Sequence, residues 1–244
     1  MKDFAADLHI HTVLSPCADA AMRPPAIVEA ALARGVAMIA ICDHNATANI
    51  GAVRESAAGD LIVIAGIEIT TVEEVHVLGW FGDDAAADAV AAVVRATLPA
   101  RSGLRGALRP PEVVDALGSV VERPDSAYES ACALSLGHAV GLIRANEGIA
   151  IAAHADRRSF SVLSQLGIWP EDVEFDAIEV SAAGAKHGRA ADLQKPGKPI
   201  VTASDAHSLD EIGDARTVWT LEVPVFAELL GALHGEGGRG WRIG

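Results

Sequence analysis

Seven short apolar runs recur along the 244-residue chain, most of them separated by stretches with helical character. They fall at residues 4–10, 36–42, 61–69, 74–80, 149–153, 177–180 and 199–203. Runs of this length suit strands, and several are apolar throughout, as strands covered on both faces must be. Residues 24–34 read as a helix, with Pro24 and Pro25 in its first turn and Gly35 at its end. Residues 84–97, 139–146 and 224–234 read as three more. Strands alternating with helices imply a parallel sheet, open or closed into a barrel. Residues 218–223 add a possible strand near the barrel edge. About 250 residues is the usual size of one α/β barrel, so residues 1–244 are expected to form a single domain.

Residues 98–137 break the rhythm. They carry Pro99, Gly103, Gly106, Pro110, Pro111 and Pro124, with Arg101, Arg105 and Arg109 between them. A segment of this length inside a barrel reads as an insertion, possible as a lid over the site.

Histidine placement says more than composition. His9 and His11 close the first run, in DLHIHT. His44 follows the second, in CDHNAT, and Glu68 lies near the end of the third. His76 sits inside the fourth, His154 ends the fifth, and Asp205 and His207 follow the seventh, in ASDAHS. In a parallel barrel all strand C-terminal ends open on one face, so these distant residues are expected to converge. Two residues apart on a strand, His9 and His11 point to the same side, and the spacing of Asp205 and His207 repeats this. Imidazoles with carboxylates suit Zn²⁺, Fe²⁺ or Mn²⁺. Six histidines and two or three carboxylates exceed the needs of one tetrahedral ion, so two or three ions are expected.

In their order, these motifs resemble the PHP (polymerase and histidinol phosphatase) family: H-x-H, D-H, a Glu, a His, a further His, then D-x-H. The resemblance spans nearly the whole chain. It implies a distorted seven-stranded (β/α)7 TIM-like barrel, three divalent ions and hydrolysis of phosphoesters. It implies one ion on His9, His11, Glu68 and Asp205, and a second on Glu68, His76 and His154, with Glu68 bridging. The third would lie on His44 and His207, with a further ligand from the loop after H-x-H. Asp19 is the expected residue there, and Cys17 is read as a reduced structural thiol. Asp7 and Asp43 precede ligand histidines and could orient their rings.

The expected nucleophile is a metal-bound hydroxide held by Glu68, Asp205 and His207. Three ions and three carboxylates would leave a local charge of about +3. Arg157 and Lys186 are candidate substrate contacts, Arg157 through a bidentate grip on phosphate. Neither a GxSxG nucleophile elbow nor a P-loop occurs. Strand four offers Val75, His76 and Val77 but no lysine, which disfavours amidohydrolase chemistry. A metal-binding PHP module without turnover is the alternative.

With 19 basic and 33 acidic residues the net charge is −14, which argues against a broad nucleic-acid-binding surface. The expected substrate is therefore a small phosphorylated metabolite, of histidinol phosphate or nucleotide phosphate type, with no long nucleic acid. Three cysteines make no disulfide framework, which favours a reducing compartment. With no apolar leader and no run of about 18 apolar residues, the expectation is a cytoplasmic protein without membrane contact.

Overall fold

The computed structural model describes residues 1–103, 108–193 and 198–244; Arg105 lies outside them. Its strands are β1 (Lys2–Ile10), β2 (Met38–Ile41), β3 (Ile62–Thr70), β4 (His76–Phe81), β5 (Val113–Val114), β6 (Val120–Glu122), β7 (Ile149–Ala152), β8 (Ala177–Val180), β9 (Ile200–Thr202), β10 (Thr217–Leu221) and β11 (Gly240–Ile243). The helices are α1 (Pro24–Ala33), α2 (Ile50–Ala57), α3 (Asp84–Arg95), α4 (Leu136–Ala145), α5 (Val162–Leu166), α6 (Ala182–Lys186) and α7 (Phe226–Leu233). None is long and apolar enough to cross a membrane. All three cysteines are free.

Nine strands among the described residues form one sheet, in the order β11-β10-β1-β2-β3-β4-β7-β8-β9. Its two edges meet through side chains. Trp241 Nε1 on β11 donates to the Ile200 carbonyl on β9 at 2.9 Å. Thr217 Oγ1 on β10 accepts from Thr202 N and donates to Thr202 O, at 2.9 and 2.8 Å. The result is a nearly closed α/β barrel.

Two features depart from seven parallel strands. β10 and β11 add to the count and run antiparallel to their neighbours. β4 is antiparallel to both β3 and β7. Only five residues join β3 to β4, too few for a parallel crossover, which needs a dozen or more. They form a tight turn in which Thr71 N donates to Val75 O at 2.9 Å and Glu74 has φ +59°. His76 thus begins a reversed strand, and that beginning lies at the C-terminal ends of its neighbours.

Alternation along the strands sorts the apolar residues into two layers. Leu8, Met38, Ala40, Leu78, Trp80, Ile151, Val201 and Trp219 fill the interior of the barrel. Ile39, Ile41, Val63, Ile67, Val77 and Ala150 face outward, against Ile27 of α1, Val53 of α2, Val90 of α3 and Ile143 of α4. Trp80 and Trp219 meet edge to face at 6.3 Å and close the interior below the histidines.

The insertion clamps the loop that follows β1. Glu112 N donates to Val13 O at 3.1 Å, and Arg109 donates to the carbonyls of Val13 and Ala18 at 2.7 and 2.9 Å. Asn49 ties both sides of the contact, donating to Glu112 O and accepting from Val114 N. The Glu112 carboxylate also pairs with Arg23 and Arg123, at 2.6 and 2.7 Å. Arg101 pairs with Glu129 at 3.0 Å. Two of the three arginines read as a basic surface are therefore structural ties.

Candidate metal centre

Each expected ligand except Asp19 arrives at one mouth. His9 and His11 come from the end of β1, His44 from the turn after β2, and Glu68 from β3. His76 opens β4, His154 follows β7, and Asp205 and His207 follow β9. Isolated parallel bridges, Ile10 with Ala206 and His44 with Glu68, stitch these ends together.

Glu68 stands at the centre and is fully buried. Its Oε1 lies 2.9 Å from His76 Nδ1, 3.2 Å from His154 Nε2 and 3.4 Å from His9 Nε2. Its Oε2 lies 2.8 Å from His44 Nδ1 and 3.4 Å from His11 Nε2. Asp205 Oδ1 sits 3.0 Å from His11 Nε2 and 3.2 Å from His9 Nε2. Three ligand groups follow, each with its donor atoms within 4.8 Å of one another: His9, His11, Glu68 and Asp205; His44, Glu68 and His76; His11, His44 and His207. The first matches the expected set. The second takes His44 beside Glu68 and His76, while His154 touches the same carboxylate. The third adds His11 to His44 and His207.

The arrangement fits cations better than hydrogen bonds alone. A carboxylate has about four lone-pair sites, and five imidazoles crowd this one. His9 Nε2 and His11 Nε2 face each other at 3.2 Å. Although His44 Nδ1 and Glu68 Oε2 are 2.8 Å apart, their directions make no hydrogen bond; both atoms are buried without one, as is His154 Nδ1. Buried polar atoms are rarely left so in a folded chain.

The electrostatics agree. Burial would raise Glu68, but the imidazoles of His76, His9 and His44 outweigh it and hold the carboxyl well below its usual range. Asp205 behaves alike, with His9 and His11 overcoming burial. Burial dominates at His76 and brings it down to about 4, so the ring is neutral at pH 7 and free to donate a lone pair.

Asp19 is not brought into the cluster. Its exposed carboxylate accepts from Ala21 N at 2.8 Å, and its backbone N–H donates to His207 O at 2.7 Å. The residue caps a turn and positions the His207 loop. The nearer side chain is Cys17, exposed at the mouth, whose thiol hydrogen-bonds with His207 and His44. Those bonds outweigh desolvation and bring the thiol down to about 6. A thiolate there would add a soft donor to the third group.

Four buried acidic and hydroxyl residues hold the ligands. Glu179 on β8 accepts from His9 Nδ1 at 3.1 Å and from His154 N at 2.9 Å. Sequence reading missed it, although a glutamate inside the apolar run AIEV was a legible signal. Asp43 acts at one remove: it accepts from Thr12 and from Ser15 Oγ, and Ser15 Oγ meets His11 Nδ1 at 2.9 Å. Asp7 does not touch a ring; it accepts from Ser204 N, Ser204 Oγ and Gly213 N, and so fixes the loop carrying Asp205. Asn45, His154 and Asp205 all hold left-handed backbone, with φ of +54°, +28° and +54°. Non-glycine residues in such conformations cost about 1–3 kcal/mol each and gather at functional sites.

Arg157 reaches the mouth, with Nη1 2.6 Å from Asp205 Oδ2 and its head 41% exposed. Lys186 is exposed at the end of α6, and no described residue pairs with it.

The PHP domain model matches residues 7–167, about two thirds of the chain, and a second model, PHP-associated, matches residues 188–236. A segment of 79 residues is 39% identical to the 5'-3' exoribonuclease Rnm of Escherichia coli (strain K12), covering 30% of this chain and 26% of that protein. The fold resembles a lesion-specific endonuclease from Pyrococcus furiosus, with a TM-score of 0.68, 17% identity, and coverage of 98% of this chain and 58% of that one. It also resembles an amidohydrolase from Chromobacterium violaceum, solved with sulfate and no metal, at a TM-score of 0.60 and 23% identity, over 85% and 89% of the two chains. The chain thus spans about a quarter of the matched exoribonuclease and somewhat over half of the endonuclease.

These comparisons correct one expectation. An Endonuclease Q of this fold has been solved with a 27-mer duplex substrate, and Rnm is a ribonuclease, so the restriction to a small substrate without long nucleic acid does not stand. Net charge misled because it averages over the whole surface, whereas recognition depends on the few groups at the mouth. The matched model, the ordered ligand motifs and their convergence agree: the chain belongs to the PHP domain family, whose relatives hydrolyse phosphoester bonds.

Proposed function

We propose that this chain is a metal-dependent phosphodiesterase that cleaves nucleic-acid strands at the Glu68-centred cluster. One observation carries the reading: five imidazoles surround a single buried carboxylate, with orphaned polar atoms between them. His9, His11, Glu68 and Asp205 would hold one ion. Glu68, His44 and His76 would hold a second, with His154 against the same carboxylate. His11, His44 and His207 would hold a third, with the Cys17 thiol alongside. Nitrogen and oxygen donors of this kind suit Zn²⁺, Mn²⁺ or Fe²⁺. Bound ions would supply Lewis-acid charge to the phosphoryl oxygens and lower the pKa of water.

The chain's own groups prepare the site. Glu179 and the Ser15–Asp43 pair orient His9 and His11, so that lone pairs face inward. Arg157, anchored on Asp205, extends its exposed head toward an arriving phosphate, where a planar guanidinium can bond two oxygens. The Trp80–Trp219 floor keeps the interior dry, which strengthens each charge interaction above it. Free cysteines fit a reducing, cytoplasmic location.

The test pairs elemental analysis of untagged protein with assays on bis(p-nitrophenyl) phosphate and single-stranded oligonucleotides in Mn²⁺, Zn²⁺ or Fe²⁺. Two or three ions per chain and release of product support the reading. Bound metal without hydrolysis of any diester would overturn it and favour a metal-binding module without turnover.

A further inference from the structure

The loop from His154 to Ser161 arches over one side of the cluster and is firmly held. Arg157 N donates to His154 O at 2.9 Å, and Ser161 Oγ donates to Arg157 O at 2.8 Å. Ser161 then caps α5 through a reciprocal bond with Ser164. The loop touches the cluster at two points. Arg157 meets Asp205, and Phe160 meets His76, its carbonyl accepting from His76 N at 2.8 Å.

Phe160 is unusual twice over. Its φ is +57°, a strained region for a bulky residue. It is also 40% exposed, the one large aromatic so exposed among the described residues. One face of the ring stacks on His76 at 4.7 Å and 22°. Exposing a phenyl ring in a strained backbone gains nothing for folding.

Beyond Arg157 lies a cleft of about 420 Å³ that reaches Ser204, next to the ligand Asp205. Arg157, Arg158, Arg189, Ser181 and Ser204 line it, with three acids. The acids are committed: Asp156 to Ser181, Glu211 to the N–H groups of His207 and Ser208, and Asp214 to Arg34. Neither Arg158 nor Arg189 has an ion-pair partner among the described residues. The cleft therefore presents two uncommitted positive charges within reach of the cluster.

We propose that this loop straddles the scissile phosphate of a single nucleic-acid strand, Phe160 stacking on the base to one side and Arg158 with Arg189 taking the next phosphate on the other. The assignment rests on the diesterase reading and adds the form of the substrate. Stacking requires a base whose face is free, which a paired strand does not offer. The cleft has room for a phosphate and its sugar, not for a double helix.

The test measures binding of a labelled phosphorothioate single strand of about ten nucleotides to metal-loaded protein, by fluorescence anisotropy over a series of salt concentrations. The wild type should bind it about tenfold or more tightly than a strand with abasic sites in place of bases. Phe160→Ala should erase that preference, and Phe160→Tyr should restore it. The double variant Arg158→Ala, Arg189→Ala should lower the slope of log Kd against log salt by about 1.4, or about 0.7 per lost phosphate contact. Equal affinity for base-containing and abasic strands, or a double variant with the wild-type slope, overturns the assignment. Hydrolysis of bis(p-nitrophenyl) phosphate is scored separately. A protein that binds as described but cleaves no diester keeps the strand contacts and loses the reaction. One that cleaves the aryl ester yet ignores bases loses the strand contacts alone.

Discussion

The two ends of the barrel differ in a way that cavity size would misjudge. The larger cavity, about 1050 Å³, lies at the N-terminal ends of β7, β8 and β9. Its polar groups are satisfied. Arg144 pairs with Asp176 at 2.6 Å, Lys198 Nζ donates to Phe175 O at 2.6 Å, and Trp241 donates to Ile200. At the mouth the space is smaller, yet buried nitrogens and oxygens there lack partners and three residues hold left-handed backbone. Unmet polar demand, not volume, marks the end where chemistry is expected.

Substitutions at the two ends should therefore have very different effects. The largest is expected for Glu68→Gln, which removes the charge shared by two ligand groups. We expect kcat/KM on bis(p-nitrophenyl) phosphate to fall by about 10³ or more, with up to two ions lost by elemental analysis. A full metal complement in this variant would break the comparison. Glu179→Gln should weaken metal binding by about 10–100-fold, read by competition with a chelating dye, because His9 loses its orienting carboxylate. Arg157→Ala should keep its metals and raise KM by about tenfold, the scale of one charge-assisted contact; unchanged kinetics would remove it from the site.

A smaller effect tests the clamp on the mouth. Burial pushes Glu112 up, but bonds from Arg123 and Arg23 outweigh it and hold the carboxyl below its ordinary value of 4.5. A depressed carboxylate stabilises the fold above its unfolded pKa, and that contribution is lost as pH falls through the folded value. Glu112→Gln should thus cost about 1 kcal/mol in urea unfolding at pH 7, with the gap to wild type closing below pH 4.5. A gap that widens with acid would contradict the ion pairs. The smallest effect belongs to the far end. Arg144→Ala should cost at most about 1 kcal/mol of stability, and kcat/KM should stay within twofold of wild type. A tenfold loss of activity there would show that the two ends are not independent.

The ligands were legible because metal chemistry restricts residue types so strongly. His9, His11, His44, His76, His154 and His207 could be placed before any coordinates existed, since strand ends in such a barrel share a face. Asp19 failed because residue type cannot say which side chain of a loop turns inward; a backbone N–H two residues on captured its carboxylate. Cys17, two residues earlier, faces the histidines instead. Glu179 was overlooked because a strand glutamate carries no signal of its partner until β8 is set beside β1's histidine. The insertion looked like a lid from its prolines and arginines, yet Arg109 is spent on backbone carbonyls.

Alternating apolar runs and the types of the polar residues at their ends determined the barrel class and the chemistry it could host, because burial and ligation depend on side-chain identity. The reversal of β4, the closure by β10 and β11, and the choice of Cys17 over Asp19 were decided by tertiary contacts. Each depends on where one piece of backbone comes to lie against another, and that distance is set only when the whole sheet has closed.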